Sequence, residues 1–147
     1  MIKRSPAGGF SLIELMVALA VVAVIAAVAM PNYTEFVKRS NRSEGTRALI
    51  VLANAQEQHY MANQTYASAI GNLPVQPLTE NNHYLLSVVA GNGLAFVLQA
   101  DPNGAGTGDS LTDDGKLRIS STGVQQWDCE NDNSWACDWE DAARKGS

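Results

Sequence analysis

The chain is poor in the residues that build reactive centres. Its 147 residues contain only two cysteines and two histidines. His59 and His83 lie far in sequence from Cys129 and Cys137, whereas a zinc site wants closer pairs and more ligands. No Gly-x-Ser-x-Gly elbow, His-Glu-x-x-His helix or phosphate-binding loop occurs. Gly104-Ala105-Gly106-Thr107-Gly108 is too short for such a loop and precedes no helical pattern. An enzyme is therefore not expected, and neither is a cofactor or a metal. Positive charge is scarce as well. Lys and Arg total 10 against 15 Asp and Glu, a net charge of −5, which argues against a dedicated nucleic-acid protein. No repeat occurs at solenoid periods, and the length fits one modest domain plus an anchor.

What the chain has in abundance is one apolar run. Phe10 to Met30 spans 21 residues in which Glu14 is the sole charge. As a helix the run is about 30 Å long, the thickness of a bilayer's hydrocarbon core. A carboxylate in such a span costs about 2.5–3.5 kcal/mol on insertion scales, which makes Glu14 a functional candidate. Three readings compete. Lys3 and Arg4, with the small-x-small Ala27-Val28-Ala29, suit a secretory signal cleaved after Ala29, releasing a soluble exported binding domain. The run is longer than a usual signal core, however, and Glu14 interrupts it near its start. A plain anchor with Lys3 and Arg4 in the cytoplasm is the second reading. Neither accounts for Gly9, Phe10 and Glu14 together.

Gly9-Phe10-Ser11-Leu12-Ile13-Glu14-Leu15-Met16-Val17, behind a short basic leader, resembles the prepilin signature of the type IV pilin superfamily. The resemblance implies cleavage between Gly9 and Phe10 by a prepilin peptidase, followed by N-methylation of the Phe10 amine. Loss of residues 1–9 lowers Lys and Arg from 10 to 8 against 15 acids, leaving −7. The implied partners are other pilin subunits, the prepilin peptidase and the pilus assembly machinery. The implied location is the inner membrane before assembly and an extracellular pilus afterwards. Glu14 sits about 6 Å along the helix from Phe10, near enough to the membrane surface to stay hydrated. In a packed filament it would be stranded unless paired. The Phe10 ammonium of a neighbouring subunit is the partner the family suggests, so Glu14 is expected to set the register of assembly. Ser40-Asn41-Arg42-Ser43-Glu44-Gly45 and Gln56-Glu57-Gln58-His59-Tyr60 further resemble minor pilins of the PilE kind. A pseudopilin of a type II secretion system is the alternative within the superfamily.

The expected fold is α+β: a long N-terminal helix on a small antiparallel sheet of three or four strands. Residues 1–9 read as leader, 10–31 as transmembrane and assembly helix, 32–61 as its amphipathic half, and 62–147 as the head. Pro31 cannot donate to the carbonyl of Ala27, so a kink or loosening is expected there. Beyond it Tyr33, Phe36 and Val37 form one apolar group, and Leu49, Leu52, Ala53, Gln56, His59 and Tyr60 continue at steps of three and four. Lys38, Arg39, Arg42 and Arg47 read as a solvated face partly matched by Glu35 and Glu44. Contact with acidic neighbours or DNA is the sharper alternative, and DNA has no support in the composition. Asn63 to Asn82 reads as a loop punctuated by Gly71, Pro74 and Pro77. His83–Ala90 and Leu94–Ala100 are strand-like and joined by Gly91-Asn92-Gly93, with Leu94, Phe96 and Leu98 on one face. Leu117–Ser120 is a third strand. A turn at Ser121-Thr122-Gly123 leads into a fourth at Val124–Trp127.

Two cysteines in an exported domain argue for a Cys129–Cys137 disulfide, contributing about 2–3 kcal/mol in the chain-entropy model. The pilin resemblance implies a larger disulfide loop, with a cysteine just before a Gly-x-Leu strand. Here that place is held by Asp114, before Gly115-Lys116-Leu117. Trp127, Trp135 and Trp139 fall among the acids Asp128, Glu130, Asp132, Asp138, Glu140 and Asp141. They either cover the sheet or form a partner surface. The acidic loop 101–115, with Asp109, Asp113 and Asp114, suggests calcium, but the EF-hand frame fails because Ser110 and Ser121 fall at the ligand positions.

Overall fold

The computed structural model describes residues 10–102 and 114–144, without the side chains of 28–32. Gly9 and the leader, Asp109 and Asp113, and the side chain of Pro31 lie outside the described residues. A single helix, α1, runs Leu12–Asn63, and the chain divides into two compact units, 1–34 and 35–147. The helix includes position 31.

In the first unit α1 is apolar on every side. Leu12, Ile13, Leu15, Met16, Val17, Leu19, Val21, Val22, Val24 and Ile25 are each more than half exposed. A helix that is hydrophobic all round has no water-facing side and is built to be buried elsewhere. Among the described residues no helix is long and apolar enough to cross a membrane. The described apolar side chains stop at Ala27, and Val28, Ala29 and Met30 extend the run only in the sequence.

In the second unit α1 buries Arg42, Gly45, Leu49, Leu52 and Gln56, a series of steps of three and four that lines one helical face. Gly45 is required by the approach to the sheet. A Cβ there would lie 2.8 Å from Leu117 Cδ1 and 3.2 Å from the Tyr84 ring. The helix ends at a left-handed residue, Gln64 (φ 57°), whose N–H donates to the Tyr60 carbonyl at 2.8 Å, the single-bond form of helix cap. Just beyond, the buried Gln56 amide both donates to Ala67 O and accepts from Ala67 N, at 3.0 and 2.8 Å. It thereby pairs backbone groups that would otherwise be buried unmet.

Four strands follow: β1 (Leu85–Gly91), β2 (Phe96–Asp101), β3 (Leu117–Ser120) and β4 (Gln125–Trp127). They pair in chain order, all antiparallel. Leu86, Phe96, Leu98, Ala100, Leu117 and Trp127 form the buried face. The α+β fold expected from the sequence is the one observed, as is the turn at 121–123, whereas the first hairpin turns at 92–95 because Gly91 still belongs to β1, paired with Phe96. Leu94 is a correction. Asn92 Oδ1 accepts from the N–H groups of Leu94 and Ala95 at 2.8 and 3.0 Å, a side-chain-closed turn that delays β2 to Phe96 and leaves Leu94 92% exposed. A short helix, α2 (Trp139–Arg144), was not expected. Asp138 Oδ1 accepts from Asp141 N, and Asp141 Oδ2 accepts from Asp138 N, a reciprocal cap that starts the helix.

Candidate functional site

Two regions carry the residues singled out by sequence. The first is the start of α1. Phe10 is 85% exposed, and Phe10, Glu14, Leu15 and Ala18 line one shallow groove on the helix surface. Glu14 lies in the first turn of α1, where the positive end of the helix dipole favours a carboxylate.

The second is the C-terminal part of the head, organised by a residue that sequence reasoning placed on the surface. Arg42 is 3% exposed. Its Nε donates to both oxygens of Asp114 at 2.8 and 2.9 Å, and its Nη2 lies 2.7 Å from Asp114 Oδ1. Nη2 also donates to Glu35 Oε1 at 3.1 Å, and Nη1 to the Ala142 carbonyl at 3.0 Å. The guanidinium carbon lies 4.6 Å from the ring centre of Trp127, within cation–π range. Burial works against the charge of Arg42, but the hydrogen bonds and charge of Asp114 prevail and raise its pKa. Burial pushes the Asp114 carboxyl upward while Arg42 pulls against it, and it pushes the Tyr84 hydroxyl upward too.

The expected solvated basic face is corrected accordingly. Arg42 left it because a carboxylate 72 residues away meets it inside the fold. Glu44 left it as well. It accepts from Asn81 N and Nδ2 and from His83 Nδ1 at 3.1, 2.9 and 2.8 Å, tying the segment before β1 to the helix. Burial opposes ionisation of Glu44, yet hydrogen bonds from Thr79, Asn81 and His83 together hold its pKa down at about 2.

Cys129 and Cys137 form a disulfide. The loop they close folds over Asp128, a fully buried carboxylate that accepts from the N–H groups of Asp132 and Asn133 at 2.9 and 2.8 Å. The structure separates the three tryptophans. Trp127 is 1% exposed beneath Arg42, which removes it from any contact surface. Trp139 is half-buried, its Nε1 donating to the Gln126 carbonyl at 3.1 Å. Trp135 is half-buried over the guanidinium of Arg118, 3.6 Å from its ring centre. No cluster of metal-ligating side chains occurs among the described residues.

A family model described as "Type IV minor pilin ComP, DNA uptake sequence receptor" matches residues 31–115, and a prokaryotic N-terminal methylation motif matches residues 4–30. The chain belongs to the type IV pilins. Pilins are structural proteins, not enzymes. The type IV major pilin PilA of Myxococcus xanthus is 34% identical over 85 residues, covering 57% of this pilin and 39% of the relative. A fimbrial protein of Neisseria meningitidis is 33% identical over 100 residues, 65% and 56% of the two chains. PilA4, the wide-pilus major component of Thermus thermophilus, is 29% identical over 121 residues, 80% and 91% of the two chains. This pilin thus spans roughly half the length of some of the relatives it matches, 39% of the first and 56% of the second. The family match ends at Gly115, so β3, β4, the disulfide loop and α2 all lie beyond it.

Proposed function

We propose that this pilin is a minor subunit of a type IV pilus, processed between Gly9 and Phe10, methylated at the Phe10 amine and assembled through α1. The subunit waits in the inner membrane with residues 10–31 in the lipid, then exchanges lipid for the helices of other subunits. The observation that carries this reading is the contiguous apolar surface of α1 from Leu12 to Ile25, exposed on all sides and interrupted by one carboxylate. Lipid is already as apolar as the packed helices, so close side-chain packing and not removal from water drives the exchange, while an unpaired Glu14 within the packed surface would be costly. Pairing Glu14 with the Phe10 ammonium of a neighbour removes that cost and admits one axial register. The test is N-terminal sequencing of the mature protein together with filament incorporation of Glu14→Ala. Methylated Phe10 and a loss of incorporation of tenfold or more are expected. A mature terminus at Met30, or incorporation equal to wild type, overturns the proposal.

The description of the family model over 31–115 supports a finer reading, that the head serves DNA uptake. Arg42 is committed to the interior and the chain is acidic overall, so few cations remain for phosphate contact. Binding to duplex DNA should then show a shallow salt dependence, with a slope of about −1 to −2. No saturable binding in a gel-shift assay at low salt rejects the DNA reading and leaves the assembly reading intact.

A further inference from the structure

The outer face of the sheet carries a polar row that the core does not use. In register across all four strands stand Ser87, Gln99, Arg118 and Gln126, each half-buried. Within the row Arg118 Nη2 donates to Gln99 Oε1 at 3.0 Å. Arg118 Nε is buried with no hydrogen-bond partner. Burial lowers the pKa of Arg118 against the pull of the Asp128 charge, and among the described residues no carboxylate forms an ion pair with it. A buried donor left unmet on a charged group is costly and calls for a reason.

A second oddity lies over the same residue. Trp135 holds a left-handed backbone (φ 52°) within a loop whose Asn131 and Asn133 are also left-handed. Asparagine tolerates that region, but a bulky indole does so only under constraint. The constraint comes from the Cys129–Cys137 bridge and the Asp128 clamp. Strain of this kind is kept where it positions a side chain, and here it positions an indole beside an under-used guanidinium.

We propose that this row, with Trp135 at its side, binds a glycan that carries a carboxylated sugar. With Nε buried, it is the Nη edge of the Arg118 guanidinium that would pair with a carboxylate. The indole, one face of which rests on Arg118, offers its opposite face as an apolar platform for the C–H face of a sugar ring. The amides of Gln99 and Gln126 and the hydroxyl of Ser87 face sugar hydroxyls, at a strand spacing of about 4.8 Å that sets successive side chains roughly one sugar apart. Duplex DNA fits this row poorly, since phosphate tracking needs several cations. Lys116, two residues before Arg118, is engaged with Asp101 and Asn133.

The test measures binding of the full chain in detergent micelles to a trigalacturonate, its methyl ester and a duplex DNA. Saturable binding of the trigalacturonate is expected, weakened at least tenfold by methyl esterification, by Arg118→Gln and by Trp135→Ala. Arg47→Gln, an exposed charge on α1 outside the row, should leave it unchanged. Thermal melts confirm that the variants fold, and if Arg118→Gln does not, Trp135→Ala and the methyl ester still decide. The proposal is overturned if the wild type does not bind the acid, if ester and acid bind alike, if Trp135→Ala binds as wild type, or if the DNA displaces the sugar from the same residues.

Discussion

Removing the Asp114 carboxylate should be far more damaging than removing Asp114 and Arg42 together. In Asp114→Ala the guanidinium of Arg42 stays in a site that is 3% exposed and keeps only Glu35, the Ala142 carbonyl and the ring of Trp127. Stranding one partner of a buried pair costs about 3–5 kcal/mol, a large share of the roughly 5–15 kcal/mol that holds a domain together. For a head of this size each kcal/mol moves the melting temperature by about 3–5 °C, so a fall of about 10–25 °C is expected. Arg42→Met should fall by a similar amount, because it leaves Asp114 buried and unpaired beside Tyr84. The double variant Arg42→Met with Asp114→Leu should recover to within about 2 kcal/mol of wild type, since well-packed apolar groups replace buried ion pairs at little net cost. Thermal melts of the full chain in detergent, followed by the fluorescence of the three tryptophans of the head, measure all three. The reasoning is refuted if either single variant melts within about 3 °C of wild type, or if the double variant is no better than the singles.

Three further outcomes follow from other contacts. Glu44 has a folded pKa lowered from 4.5 to about 2, so its contribution is fully present above pH 4.5 and is lost as pH falls from 4.5 towards 2. Discounted for solvent screening it is worth about 1–2 kcal/mol, and Glu44→Gln should flatten that part of an acid titration of stability. Reduction of Cys129–Cys137, or Cys129→Ala with Cys137→Ala, should cost about 2–3 kcal/mol. It should release the 129–137 loop to proteolysis before the sheet unfolds. Gly45→Ala should destabilise the head by up to about 2 kcal/mol, because its methyl would lie 2.8 Å from Leu117 Cδ1 and 3.2 Å from the Tyr84 ring, an overpacking cost of about 1–3 kcal/mol offset by about 1 kcal/mol of helix propensity; a denaturant melt showing a more stable head contradicts the packing described for α1.

Much of the head was legible because its patterns are local. The steps from Leu49 to Gln56 mark a buried helical face, the alternation in Leu117–Ser120 marks a strand, and Asn92 and Gly123 mark turns. The misses arise where a distant group decides. Arg42 was read as solvated because helical neighbours such as Glu35 are visible in sequence, whereas Asp114 is not. One signal was present all the same: Arg42 continues the spacing of Leu49, Leu52 and Gln56 back through Gly45, and so shares their inward face. The start of α2 was also readable, from Asp138 and Asp141 spaced as a reciprocal cap. The burial of Trp127 and the placing of Trp135 over Arg118 were not, because composition alone does not reveal which ring lies under a sheet and which over it.

The short disulfide and the buried ion pair answer one structural need between them. Cys129 and Cys137 are eight residues apart in sequence, so their bond closes a local loop and ties neither β3 nor α2 to the long helix. That tie is made by Arg42, which holds Asp114 at the entry to β3 with one side of its guanidinium and the Ala142 carbonyl of α2 with the other. The position where the pilin resemblance would place a cysteine is Asp114, and the residue there does reach across the fold, but to a helix and through charge. A covalent clasp holds at any pH and fails on reduction, whereas this one is indifferent to reductant. Anchorage of the C-terminal segment to α1 should therefore survive loss of the disulfide and fail with Asp114→Ala. Hydrogen exchange at residues 139–144, compared between the reduced wild type and Asp114→Ala, separates the two. Faster exchange in the reduced protein than in Asp114→Ala would mean that the disulfide, and not Arg42, holds the C-terminal segment down.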